Sequence, residues 1–235
     1  VNIFNLLRQV SVYGFMSLGM TLVILSGGID LSIGGVMTLS TLLAAVMTVE
    51  GYGPVPVIIL PVIVGGVFGM ANGYIISRFK VEPFAVTLGT QFVAFGLGFT
   101  LSGGKTIIPD LGPTMTFLAQ GFIGPIPFPV ILMILTYIVF AFIMSNTAFG
   151  RWIHALGGNE RAANVCGINS IRMKMAIYAL SGALGGFAGV VLLSRSTVGD
   201  PTAGIAIVLI IIASVIVGGN HFSSGIGNVG FTLIG

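Results

Sequence analysis

The chain has 235 residues, 55% hydrophobic and only 6% charged, with a formal net charge of +3. A water-soluble domain carries about a quarter of its residues as charges, so this composition excludes a solvated globular surface and makes lipid the solvent. One cysteine, Cys166, excludes an internal disulfide framework or a Cys-based zinc site, and a dispersed +3 offers no basic patch for nucleic acid.

A membrane-crossing helix needs about 20 mostly apolar residues, with a range of about 17–25. Uncharged runs of that kind predict spans at 10–26, 33–49, 55–77, 84–101, 123–145 and 175–194. A seventh run, 205–219, is short and reads either as a span or as a half-helix that enters the membrane and turns back. Backbone groups in lipid must be satisfied within each segment, which favours helices. The expected fold is an all-α, polytopic transmembrane helical bundle occupying residues 1–235 as one membrane domain, and the chain reads as part of a longer protein.

Between the first two runs stands Ser26-Gly-Gly-Ile-Asp-Leu-Ser-Ile-Gly-Gly35, an acidic site bracketed by glycines. A charge at the bilayer centre costs at least about 2.5–3.5 kcal/mol on insertion scales, so Asp30 requires a partner, a helix N-terminus or the water boundary. The favoured reading is that Asp30, bracketed by Gly27 and Gly28 on one side, caps a helix starting near Leu31, with Ser32 in support. Two complete helices would place Asp30 on the cytoplasmic side and Arg8 outside. One broken helix would place Asp30 within the membrane and Arg8 inside. Further on, Gly65, Gly69 and Gly73 recur every fourth residue, as do Ser181, Gly185 and Gly189, giving smooth stripes for close helix packing.

Arg78 and Lys80 fall in one short connection, and Arg151, Arg161, Arg172 and Lys174 in the longest polar one. Excess Lys and Arg mark the cytoplasmic side, and two spans separate these connections, so both lie inside. Lys105 with Asp110, and Arg195 with Asp200, then fall outside. The inner connection from Phe149 to Lys174 is long for a bundle, where about 2–8 residues are usual. Within it Asn159 is placed to cap a short helix, 160–166, with Gly167 as its stop. Such a helix suits docking to a partner, or seating among lipid headgroups.

Gly104-Lys-Thr106 ends like a phosphate-binding loop, but Phe99 stands where that motif needs glycine. His154 and His221 lack zinc-type companions, and no nucleophile elbow is present. Ion-driven carriers usually hold acids or bases within their spans. Here the spans are bare apart from Asp30, so the driving force is expected from outside the chain.

Several strings resemble, in order, the permease family of ribose-type sugar ATP-binding-cassette importers. They are Gly19-Met-Thr-Leu-Val-Ile-Leu-Ser-Gly-Gly-Ile-Asp-Leu-Ser-Ile-Gly34, Glu82-Pro-Phe-Ala-Val-Thr-Leu-Gly-Thr90, Leu101-Ser-Gly-Gly104, Ala155-Leu-Gly-Gly-Asn-Glu-Arg-Ala-Ala163 with Gly167-Ile-Asn169, and Asp200-Pro-Thr-Ala-Gly204. The resemblance implies a dimer of permease subunits, cytoplasmic ATPase subunits that hold the ATP and magnesium, and an external sugar-binding protein. The permease itself would have neither cofactor nor enzymatic activity. The resemblance also implies multi-pass residence in a bacterial inner membrane, with further membrane segments at both ends. Coupling to the ATPase is expected at Gly157, Gly158, Asn159, Glu160, Arg161, Gly167 and Asn169. Asn72, Thr87, Thr90 and Gln91 are candidate pathway residues. Two departures stand out: Val208-Leu-Ile210 replaces the family's usual Glu-Leu-Asp, and Phe95 replaces a common arginine.

Overall fold

A computed structural model describes residues 3–222 and 224–235. Its elements in chain order are α1 (Ile3–Leu25), α2 (Ser32–Val49), α3 (Pro54–Phe79), α4 (Pro83–Ser102), α5 (Pro113–Gln120), β1 (Phe122–Ile123), β2 (Ile126–Pro127), α6 (Phe128–Asn146), α7 (Ala148–Gly158), α8 (Glu160–Val165), α9 (Ser170–Ser196), α10 (Ile207–Val217) and α11 (Val229–Thr232). Among the described residues six helices, α1, α2, α3, α4, α6 and α9, are long and apolar enough to cross a membrane.

Prolines start three of the six spans, and left-handed residues stop three, α3, α4 and α9. Pro54, Pro83 and Pro129 sit in the first turns of α3, α4 and α6, where a fixed φ suits a helix and the missing N–H is not needed. Gly103 ends α4 at φ 60°.

α1, α2 and α9 are mostly buried and form the inner layer, while α3, α4 and α6 turn most of their surface outward. The most extensive helix pair is α3 on α9. A methyl group added at Gly65 would meet the Gly182 carbonyl, one at Gly69 the Tyr178 carbonyl, and one at Gly73 the Lys174 carbonyl. The stripe at 65, 69 and 73 therefore packs within the chain, antiparallel to α9, with the backbones nearly touching. Gly185 and Gly189 do the same against Ile33 and Met37 of α2, where Thr41 Oγ1 donates to the Gly189 carbonyl at 3.0 Å.

The two ends of the bundle are each tied together. At one end Glu160 bridges Lys80 and Lys174. At the other, Ile107 and Gly199 pair as a β-bridge through N···O distances of 2.9 and 2.7 Å, and α5 docks on the end of α9, with Ser194 Oγ accepting from Ala119 N at 2.9 Å. The basic connections thus share one end, and the loops holding Lys105, Asp110 and Asp200 share the opposite end.

Arg8 lies at the opposite end, donating to the Gln120 carbonyl at 2.7 Å, as two separate helices require. Asp30 is nevertheless fully buried. Its partner Ser181 stands about 16 Å along α9 from the basic end, and that helix is about 40 Å long at 1.5 Å per residue. α1 and α2 are thus distinct helices, as the first topology requires, and the turn between them is buried inside the bundle.

Several boundaries differ from the uncharged runs. α1 reaches back to Ile3 rather than residue 10. α6 begins at Phe128 instead of 123, because Phe122–Ile123 pairs with Ile126–Pro127 in a hairpin turning at Gly124, φ +61°. α9 extends beyond 175–194 at both ends, because Arg172, Lys174 and Arg195 sit in its terminal turns, where long basic side chains reach the boundary. The run 205–219 condenses to the 11-residue α10.

Candidate functional site

The basic end is built from α7 and α8. The segment 149–174 is not a loop bearing one short helix: α7 occupies 148–158 and buries Gly150, Ile153, Leu156 and Gly157. Its apolar positions recur at helical spacing, a signal that its polar context obscured. Gly157 packs against the Leu25 carbonyl and Gly225, leaving no room for a side chain. Gly158 is exposed, and a methyl group added there would lie 3.9 Å from its nearest non-local neighbour, the Ser224 carbonyl oxygen. Asn159 breaks from helix with φ −160° and ψ 102°, and its Oδ1 accepts from Ala162 N at 3.0 Å. α8 then runs 160–165, close to the expected 160–166, and the chain turns at Gly167 with φ +87°. Asn169 Oδ1 accepts from Arg172 N at 3.0 Å and starts α9. Both asparagines therefore define where helices begin.

Glu160 anchors this unit. Its Oε1 accepts from Lys80 Nζ at 3.0 Å and its Oε2 from Lys174 Nζ at 2.6 Å, joining α8 to the α3–α4 connection and to the base of α9. Partial burial works to raise the carboxyl, but hydrogen bonds and charge from Lys174 and Lys80 outweigh it and hold Glu160 below the ordinary carboxylate range. Arg161 is exposed and Val165 is 90% exposed. A helix held firmly by one face while presenting an apolar tip has the features of a docking element. Lys80 and Lys174 were legible in sequence only as orientation signals, because their common partner lies 80 and 14 residues away.

A second centre lies deeper. Gly27 turns the chain at φ +84°, and a side chain at Gly28 would collide with the Tyr178 hydroxyl. Asp30 Oδ1 accepts from Ser32 N at 3.1 Å and Ser32 Oγ at 2.5 Å, and Oδ2 accepts from Ser181 Oγ at 2.7 Å. Asn72 Nδ2 donates to Ser32 Oγ at 2.9 Å, and Tyr178 Oη donates to the Ile29 carbonyl at 3.2 Å. Asp30 does serve the first turn of α2, though through Ser32 rather than as the residue flanking the helix. It also pins α2 to α9, and through Ser32 to α3. The sequence showed neither Ser181 nor Tyr178 as partners, since nothing local links them to residue 30.

The pathway candidates stand on two helices, Asn72 on α3 and Thr87, Thr90 and Gln91 on α4. Asn72 belongs to the Asp30 centre. Thr87 is buried with its hydroxyl on the Pro83 carbonyl at 2.8 Å, and the Thr90 hydroxyl is on the Val86 carbonyl at 3.1 Å. The Gln91 backbone lies against Gly35 of α2 and its amide near Gly34. At the opposite end the Pro201–Gly204 turn closes on α2, with Gly204 N donating to Thr38 Oγ1 at 2.9 Å. Val208 is buried beside Gly34, while Leu209 and Ile210 face outward. Of the two apolar residues standing where the family has acids, one is therefore buried and the other exposed, and Phe95 is half-buried. Among the described residues no His, Cys, Asp or Glu cluster could hold a metal ion.

Among the described residues, six apolar helices, a buried carboxyl group without a counter-charge and a capped, clamped helical unit at the basic end make up the architecture of a membrane-embedded subunit. Residues 2–235 match the family described as branched-chain amino acid transport system, permease component. The chain is 44% identical over 237 residues to the ribose import permease protein RbsC of Bacillus subtilis, covering 100% of this chain and 73% of that protein. It is 31% identical over 234 residues to the L-arabinose ABC transporter permease protein AraH of Azospirillum brasilense, covering 100% of this chain and 69% of that protein. It is 34% identical over 238 residues to the fructose import permease protein FrcC of Rhizobium meliloti, covering 98% of this chain and 66% of that protein. No solved structure matches. The chain belongs to this permease family of ATP-binding-cassette import systems: a multi-pass inner-membrane transport subunit, not an enzyme.

Proposed function

We propose that this permease forms the translocation route for a small neutral sugar, delivered by an external binding protein at the end bearing the 103–112 and 197–204 loops. ATP hydrolysis in separate cytoplasmic subunits drives it through α7 and α8, and a second permease subunit completes the route. The sugar class rests on the ribose, arabinose and fructose permeases it is similar to. It also suits a bundle whose spans carry hydroxyls and amides but scarcely any charge, since a neutral sugar needs hydrogen bonds and no counter-charge.

The observation that carries the coupling role is the Glu160 bridge. It joins α8 to two other elements at once, so a push on the exposed Val165 tip is delivered to the bundle instead of being absorbed by a floppy loop. The structure also selects the test. A side chain at Gly158 has room within this chain, while one at Gly157 does not. Gly158→Leu in the assembled transporter should fold normally, yet lose sugar-stimulated ATP hydrolysis and uptake. Unchanged stimulation and transport would refute docking at this surface.

A further inference from the structure

We propose that the end opposite the ATPase-facing loops holds a binding site for the phosphate headgroup of an anionic phospholipid, built on Arg8 and Arg195. The two arginines, from the second turn of α1 and the last turn of α9, line a cavity of about 360 Å³ together with Asn5, Gln120 and Ser196. Every lining residue is polar. Among the described residues both ion pairs involve Glu160 at the far end of the bundle, so two guanidinium groups share this cavity without a carboxylate partner. Asp200, the acid nearest Arg195 in sequence, is engaged with Thr202 N and Oγ1 at 2.8 Å each.

Donor capacity is also left over. Arginine has five N–H donors. Arg8 directs one to the Gln120 carbonyl at 2.7 Å and one to Asn5 Oδ1 at 3.4 Å, and its buried Nε has no partner. Among the described residues Arg195 makes a single long hydrogen bond, 3.4 Å to Gln9 Oε1. Two like charges with unused planar donors are matched by a tetrahedral oxyanion, which guanidinium groups grip in bidentate fashion.

The surroundings choose the source of that anion. Phe122 and Ile123 of the hairpin beside Arg8 are exposed apolar side chains, Phe4 meets the Phe122 ring edge-on at 5.4 Å, and the Arg8 guanidinium lies 4.8 Å from the centre of that ring. A free ion gains nothing from such a skirt, whereas a phospholipid needs it for its acyl chains. An acidic protein face would call for protruding arginines, and Arg8 is recessed.

The test uses the assembled full-length transporter, stripped of lipid and re-supplied with dioleoylphosphatidylglycerol, dioleoylphosphatidylcholine or inorganic phosphate, with retained lipid read by native mass spectrometry. Phosphatidylglycerol should be held in preference to phosphatidylcholine. Retention should fall about fivefold in Arg195→Gln and about thirtyfold when Arg8→Gln is added, at the usual strength of one interfacial arginine for anionic lipid. Arg195→Gln alone gives up only one long hydrogen bond of the fold, so its readout is independent of misfolding. Equal retention of the two lipids, or unchanged retention in Arg195→Gln, overturns the proposal. So does millimolar phosphate displacing the lipid, which indicates a free-anion site. Loss of binding-protein affinity with lipid retention intact overturns it in favour of an acidic protein partner.

Discussion

Replacing Glu160 by Gln preserves shape and removes the charge that two lysines share. The Lys174 arm is short, 2.6 Å, and its lysine side chain is only 14% exposed. Hydrogen bonds to charged groups are worth about 1.5–3 kcal/mol, and solvent screening at a partly exposed acid lowers this arm to about 1–2 kcal/mol. The Lys80 arm, with a lysine 66% exposed, contributes less than about 1 kcal/mol. The total is small beside the packing of six long helices but large for a six-residue helix. Glu160→Gln should therefore leave the melting temperature nearly unchanged while speeding hydrogen exchange at the amides of 160–168, and should lower sugar-stimulated ATP hydrolysis. Lys174→Met should come close to it and Lys80→Met should be milder. Because the folded-state carboxyl is held low, its contribution is fully present above the ordinary carboxylate range and fades as pH falls through the depressed value. The exchange protection, corrected for intrinsic rates, is thus expected to be flat between about pH 6 and 8. Wild-type exchange at 160–168 together with wild-type stimulation would refute the reasoning, as would loosening spread evenly over the bundle.

Gly69→Ala forces a methyl into the Tyr178 carbonyl and should cost about 1–3 kcal/mol as overpacking, read as earlier thermal inactivation in nanodiscs. Gly66→Ala is its control: the added methyl finds the Ala179 carbonyl at 3.7 Å, an ordinary contact, and the change should stay within about 0.5 kcal/mol. Asp30→Leu strands the hydroxyls of Ser32 and Ser181 and should cost about 1–3 kcal/mol for each buried group left unpaired. Asp30→Asn keeps one acceptor and should be clearly milder in the same melting assay. Asn159→Ala removes the α8 cap for about 1 kcal/mol, visible as faster exchange at the Ala162 amide.

The all-helical fold and most of its spans were legible because lipid enforces long uncharged runs, and failures came where that rule meets the water boundary. Excluding charges truncated α9, since Lys174 and Arg195 are helical residues whose heads reach the interface. The hairpin at 122–127 was hidden because Phe122, Ile123 and Ile126 are as apolar as a span. The cap at Asn159 and the stop at Gly167 were readable from local chemistry alone. What local chemistry could not supply was long-range pairing: Ser181 for Asp30, separated by 151 residues, and Lys80 for Glu160, separated by 80. A lone buried acid announces that a partner exists but not which residue it is.

Those hidden partners fall largely on one helix. From the basic end upward, α9 presents Lys174 to Glu160, Tyr178 to the Ile29 carbonyl, Ser181 to Asp30, Gly182 to Gly65, the Gly189 carbonyl to Thr41, and Ser194 to α5. A helix about 40 Å long and bonded at each level does not stretch. Its glycine contacts leave no slack for a neighbour to slide without repacking, and closely packed interfaces switch between discrete arrangements instead of deforming gradually. On the proposed coupling, a load applied at α8 would pass through α9, past the Asp30 centre that fixes α2 and α3, to the loops at the far end. On that reading the costly burial of the Asp30 carboxyl group is understandable, because its hydrogen bonds hold the sunken α1–α2 turn to α9.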